Sequence, residues 1–102
     1  MSEIRINQVD ILPVTPKSGH VGFASFVIND AFKIFNIGIY KNLDGSFRLR
    51  YPERIVASQR MSIFFPINKE VADQVVSEVQ KAYEALFENE HKRRSDEKAH
   101  IN

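Results

Sequence analysis

The sequence predicts an α+β protein: one small domain in which an antiparallel sheet of about five strands is followed by one C-terminal amphipathic helix, the whole paired as a dimer. Three observations carry this reading. Short apolar runs separated by turn residues fill residues 4 to 65. Pro66 then stops strand pairing, and from Lys69 to about Glu90 the apolar residues recur at helical spacing. Between the two halves lies Phe64-Phe65-Pro66-Ile67-Asn68, where Asn68 is placed to cap the helix by offering its side-chain oxygen to the free amides of the first turn.

Taken in order, Ile4 to Val14 reads as the first strand. Ile4 and Ile6 fall on one face and Val9 and Ile11 on the other, which predicts a bulge or break near Asn7-Gln8. Pro13 and Pro16 make it an edge. Turn residues Thr15 to Gly19 lead into Val21 to Ile28, apolar on both faces and therefore central. Asn29-Asp30 tolerates the positive φ of a tight hairpin, so Ala31 to Lys41 returns antiparallel. Its alternation sets Phe35, Ile37 and Ile39 on one face and Phe32, Ile34 and Tyr40 on the other. One helix covers one face of a sheet, so the second apolar face calls for a dimer interface or for a sheet that curls onto itself.

Asp44-Gly45 marks the next hairpin, after which Phe47, Leu49 and Tyr51 alternate with Ser46, Arg48 and Arg50. Pro52 to Gln59 has no clear period and reads as a loop, and Arg60 to Phe65 as the last strand. In the helix, Val71, Val75, Val79, Tyr83, Leu86 and Phe87 lie within an apolar arc of roughly 160°. That is wider than one sheet contact needs, so the end around Leu86 and Phe87 joins Phe32, Ile34, Phe35, Ile37 and Ile39 as the expected dimer interface. Residues 1–90 form the domain; residues 91–102 have no apolar face and read as a basic, flexible tail or a frayed extension of the helix.

At 102 residues, folding buries only about 60 to 65% of the unfolded chain's surface, so a partner subunit would add stability. The absence of cysteine excludes disulfides, thiolate zinc sites and cysteine nucleophiles, and points to a reducing compartment. No apolar run approaches the roughly 20 residues that span a bilayer, and Met1 to Arg5 does not resemble a signal peptide. The expectation is a cytoplasmic protein without membrane contact. Net charge is +1, but its distribution is uneven. Residues 1–66 hold eight Lys/Arg against five Asp/Glu, residues 67–90 two against six, and residues 91–102 four against two. A polyanion should therefore avoid the helix and meet the sheet or the tail.

Little here reads as catalytic. His20, His91 and His100 are too scattered for a metal motif and read as solvent-exposed, and the glycines are isolated rather than grouped in a phosphate loop. No serine has a recognisable base, and no carboxylate pair is nominated as acid and base. The expectation is no enzyme activity, no metal and no cofactor. The basic residues are more informative. Arg48, Arg50, Arg54 and Arg60 cluster around one hairpin, and arginine forks grip phosphates bidentately. Lys92, Arg93 and Arg94 would extend that surface if the tail folds back. The plainer alternative is a solvated sheet face with a C-terminal triplet that only complements the helix dipole.

Several segments together change that balance: the apolar hairpin around Asn29-Asp30, Phe35-Asn36-Ile37-Gly38-Ile39, Phe47-Arg48-Leu49-Arg50-Tyr51-Pro52, and the Pro66-Ile67-Asn68 junction before the helix. Over roughly residues 4 to 87 the chain resembles the stage V sporulation protein G family of septation regulators. The resemblance implies a small α+β homodimer that binds DNA or RNA with low sequence preference. The family's basic segment corresponds to Pro52-Glu53-Arg54, where Glu53 replaces a small polar residue and Ile55 stands where positive charge is usual. Arg54 is the position carried over. Three readings follow: a homodimeric nucleic-acid-binding regulator, a protein-interaction module that engages a division or regulatory protein through apolar surface or the end of the helix, or a small-molecule-binding or isomerase-like domain with a pocket between helix and sheet.

Overall fold

The computed structural model describes residues 3–100, with side chains described for residues 3–88. Strands β1 (Ile6–Lys17), β2 (His20–Ile28), β3 (Phe32–Lys41) and β4 (Phe47–Arg50) form one antiparallel sheet in the order β1-β2-β3-β4. Strands β5 (Glu53–Val56) and β6 (Gln59–Ser62) pair separately as a two-stranded hairpin, and α1 (Lys69–His100) follows. The α+β class and the single C-terminal helix are as expected, with β1 at the edge and β2 in the interior.

Three of the tight turns have the same cause. Asn29 and Asp30 both take positive φ, as do Ser18 and Gly19 and also Ala57 and Ser58, giving the backbone twist that suits two-residue hairpins. Asn and Asp adopt that region readily and advertise it in sequence. Ala57 and Ser58 do not. The expected loop over 52–59 is therefore corrected to half of a hairpin, and the last strand ends at Ser62 rather than Phe65. The β3–β4 turn is held by Asp44, whose carboxylate accepts hydrogen bonds from the Ser46 hydroxyl (2.6 Å) and amide (2.9 Å). Those bonds keep the Asp44 carboxyl below its usual pKa range.

Of the four register shifts in the sheet, two decide which apolar residues of β1 and β3 face the helix. In β1 the register passes from Asn7↔Val27 to Asp10↔Ser25, and Gln8 takes φ 50°. The extra residue, foreseen near Asn7-Gln8, returns Ile11 to the same side as Ile6. In β3 the register passes from Ile37↔Ala24 to Ile34↔Phe26, and Asn36 takes φ 61°. This second bulge reverses the alternation, which was not foreseen. Ile34, Ile37 and Ile39 consequently share the helix side, while Phe35 turns to the opposite face. Both bulges flank the same part of β2, where Phe26 is completely buried.

The core comprises Val21, Ala24, Phe26, Ile37 and Ile39 of the sheet with Val75 and Val79 of α1, and Ile34, Phe47, Leu49 and Tyr83 pack around it. Asn68 caps the helix as expected: its Oδ1 accepts from the amides of Glu70 (2.8 Å) and Val71 (3.3 Å). The Gln74 amide donates to the Ile4 carbonyl oxygen at 2.7 Å, tying the helix to the chain just before β1. The backbone of α1 continues past the expected end at Glu90 to His100. Among the described residues, no helix is long and apolar enough to cross a membrane.

Ile37 and Ile39 are 0% exposed within a single chain and have no surface to offer a second copy. Their place in the expected interface is corrected, because the Asn36 bulge sends them beneath α1. Ile34 is half-buried against the core, Phe32 and Phe35 are exposed, and Phe87 is partly exposed beside Tyr83, with ring centroids 4.8 Å apart. Leu86 is half-buried.

Candidate nucleic-acid interface

The face of the sheet turned away from α1 follows from register alone. Arg48 pairs with Tyr40 and Arg50 with Gly38 across β3 and β4, while Phe23 pairs with Gly38 and with Leu12 across the other strands. Cross-strand partners share a face, so this open face carries Leu12, Phe23, Gly38, Tyr40, Arg48 and Arg50. Lys33 lies on it too, opposite Val27.

Tyr40 organises one end. His20 stacks on it with ring centroids 4.9 Å apart at 27°, and Phe23 meets His20 edge-on at 4.7 Å. The Arg48 guanidinium carbon lies 4.7 Å from the Tyr40 ring centroid, and Arg48 Nε donates to Asn42 Oδ1 at 3.1 Å. His20 is thus half-buried rather than solvent-exposed, and its Nε2 donates to the Gly22 carbonyl oxygen at 3.0 Å. A Cβ at Gly38 would meet Tyr40 Cε2 at 3.2 Å, so the missing side chain leaves room for the Tyr40 ring.

Beside this stack is a groove of about 370 Å³, bordered by His20, Phe23, Asn36, Tyr40 and Arg50 and closed on the far side by Glu53, Ile55 and Arg60 of the second hairpin. Arg50 has no ion-pair or hydrogen-bond partner among the described residues. Arg60 Nε reaches Glu53 Oε2 only at 4.0 Å, with its side chain mostly in solvent. Such a pair contributes little and leaves the guanidinium available.

The four arginines named from sequence therefore divide. Arg50 and Arg60 line the groove and Arg48 stands beside it over the Tyr40 ring, but Arg54 pairs with Met61, while Ile55 pairs with Arg60 on the other side of the same hairpin. Alternation along β5 turns Arg54 away, a consequence of the strand that replaced the expected loop. Lys92, Arg93 and Arg94 lie outside the described side chains. Sequence reasoning missed His20, Phe23, Asn36 and Tyr40 as a group. The legible signal was Asn36, an Asn within an apolar strand, a residue type that tolerates φ > 0 and so marks a bulge.

A second concavity lies on the helix side of the sheet, between the sheet and the start of α1. About 510 Å³ in volume, it is lined almost entirely by apolar side chains, including Phe32, Ile34, Phe65, Ile67 and Val71. Tyr51 borders both concavities. Its hydroxyl is buried without a hydrogen-bond partner among the described residues, and burial pushes its pKa up to about 12.

Residues 4–85 match the SpoVG family, and the chain belongs to that family. Membership associates it with sporulation and septation. No curated protein matches it.

Proposed function

We propose that this SpoVG-family member is a nucleic-acid-binding regulator rather than an enzyme, holding the DNA or RNA backbone as a homodimer through Arg48, Arg50 and Arg60. The observation that carries this reading is that Arg50 and Arg60 line one groove of the open face and Arg48 lies beside it over the Tyr40 ring that also borders the groove, with the acidic helix on the other side of the sheet. Guanidinium forks suit phosphate oxygens, and contacts of this kind give affinity with little sequence preference. Two observations support pairing of two copies. Val56 and Met61 are exposed on the side of the two-stranded hairpin turned away from the groove, and such a hairpin is marginal without further packing. Phe32, Phe65 and Ile67 are also exposed, at the edge of the apolar concavity.

Three arginines from each of two copies would neutralise about six phosphates, so log K should fall with log salt at a slope of about −5 on duplex DNA and about −4 on single strands. Fluorescence anisotropy of labelled oligonucleotides at four salt concentrations measures this. Replacing Arg48 and Arg50 together by Ala should bring the slope to about −2, with only a small fall in melting temperature from the lost Arg48 contacts to Tyr40 and Asn42. A slope near zero in the parent protein would contradict the reading.

The apolar concavity supports a second reading, in which a division or regulatory protein docks there and the arginines are incidental. That reading predicts salt-tolerant capture of the partner, abolished by Phe32→Asp and unaffected by the double arginine change.

A further inference from the structure

We propose that the open face takes the unpaired bases of a single-stranded nucleic acid, stacking them against Phe23 and Phe35 while the arginines hold the backbone. This rests on the nucleic-acid reading above and specifies the form of its ligand. The groove has a neighbour: a hollow of about 210 Å³ on the same face, lined by Leu12, Phe23, Ser25, Phe35 and Asn36, with Asp10 at its border. Phe23 and Asn36 border both, so a single aromatic ring and a single amide separate two adjoining recesses.

The chemistry of that divide suits bases. Phe23 is 37% exposed and Phe35 60%, although the core of the same sheet is sealed. Exposed rings on a cationic sheet are platforms for base stacking, which tolerates any sequence because every base has a π face. The Asn36 amide forms no hydrogen bond among the described residues, and the bulge holds it at the surface with φ 61°. An amide both donates and accepts, so it can pair with a base edge. Arg50 borders the groove at one end; at the other, Lys33 Nζ lies 5.6 Å from the Phe35 ring centroid and 3.5 Å from Asp10 Oδ2, a solvent-exposed pair that contributes little and can be exchanged for a phosphate. The bases of a duplex are stacked on one another and expose no ring face, so only an unpaired strand can use these rings.

The test compares three probes of equal length on the full-length protein: a single-stranded oligonucleotide, its duplex, and a single strand with abasic sites at every position. Stacking contributes about 1–3 kcal/mol per base, so the abasic strand should bind about tenfold or more weaker than the intact strand. Both single strands should keep the same salt slope. Phe35→Ala should weaken the intact strand severalfold and leave the abasic strand and the duplex unchanged. Equal affinity for intact and abasic strands, or tighter binding of the duplex, would overturn the proposal while a steep salt slope left the phosphate reading standing. No salt-dependent binding of any probe would remove both. Light scattering of the same variant covers the remaining occupant: a fall from dimer to monomer with unchanged single-strand affinity would assign these rings to a second copy and refute base stacking.

Discussion

The two faces of the four-stranded sheet come from the same strands and share aliphatic and aromatic residues, yet they have become different materials. Under α1, Phe26, Ile37 and Ile39 are completely buried with Val75 and Val79. On the open side Leu12, Phe23 and Phe35 stay in solvent among Lys33, Arg48 and Arg50. One helix supplies enough apolar surface for one face only, so the sheet's leftover apolar residues are available for recognition. The bulges, more than composition, assign each residue to the covered or to the open face. Without the extra residue at Asn36, alternation would place Phe35 on the same side as Ile37 and Ile39.

Truncation should expose the contrast most strongly in the core. Phe26→Ala should cost about 3–5 kcal/mol in urea denaturation, whereas Phe35→Ala should change stability by less than about 0.5 kcal/mol. Comparable losses at both positions would erase the distinction between the faces. The link from sheet to helix is smaller and local. Asn68→Ala should cost about 1 kcal/mol by freeing the Glu70 and Val71 amides, and Asn68→Gly only a few tenths.

Tyr51, at the boundary between the two concavities, sharpens the comparison through pH. Its folded pKa is raised to about 12 from an ordinary value near 10, because burial disfavours the phenolate. The folded state therefore holds the phenolic proton more tightly than the unfolded chain. The stability linked to it is fully present below pH 10 and is lost as pH rises through about 12. Tyr51→Phe should remove this alkaline decline and be at least as stable as the parent at pH 7, since the deleted hydroxyl has no partner among the described residues. Thermal denaturation across pH 8 to 11 checks both statements. Smallest of all in stability, within about 0.5 kcal/mol, should be the effect of Arg50→Ala, whose cost under the proposed function falls on nucleic-acid affinity instead.

Much of this architecture was legible because local chemistry and global fold agree. Asn29-Asp30 announces a turn, Pro66 ends the strands, and Asn68 heads an apolar helical arc. Clean alternation from Phe47 to Tyr51 placed Arg48 and Arg50 on the exposed side. Two features were hidden for a shared reason: both depend on positive φ without glycine. Ala57-Ser58 turns a hairpin with residues that do not signal one, which concealed the opposite orientations of Arg54 and Arg60. Asn36 shifts the parity of β3 in mid-strand, which put Ile37 and Ile39 in the core and Phe35 outside. The aromatic neighbours of the arginines come from two other strands, β2 and β3, and no spacing within one segment could reveal them.

The central claim is that the open face meets nucleic acid while the covered face only stabilises. Side-chain NMR during titration with a short oligonucleotide tests it most directly. The account predicts that the ring signals of Phe23, Phe35 and Tyr40 and the Nε–H signals of Arg48 and Arg50 shift with a common saturation curve, while the methyl signals of Ile37, Val75 and Val79 stay in place. Shifts confined to the helix or to the apolar concavity around Phe32 and Ile67, with the open-face signals unmoved at saturation, would contradict it.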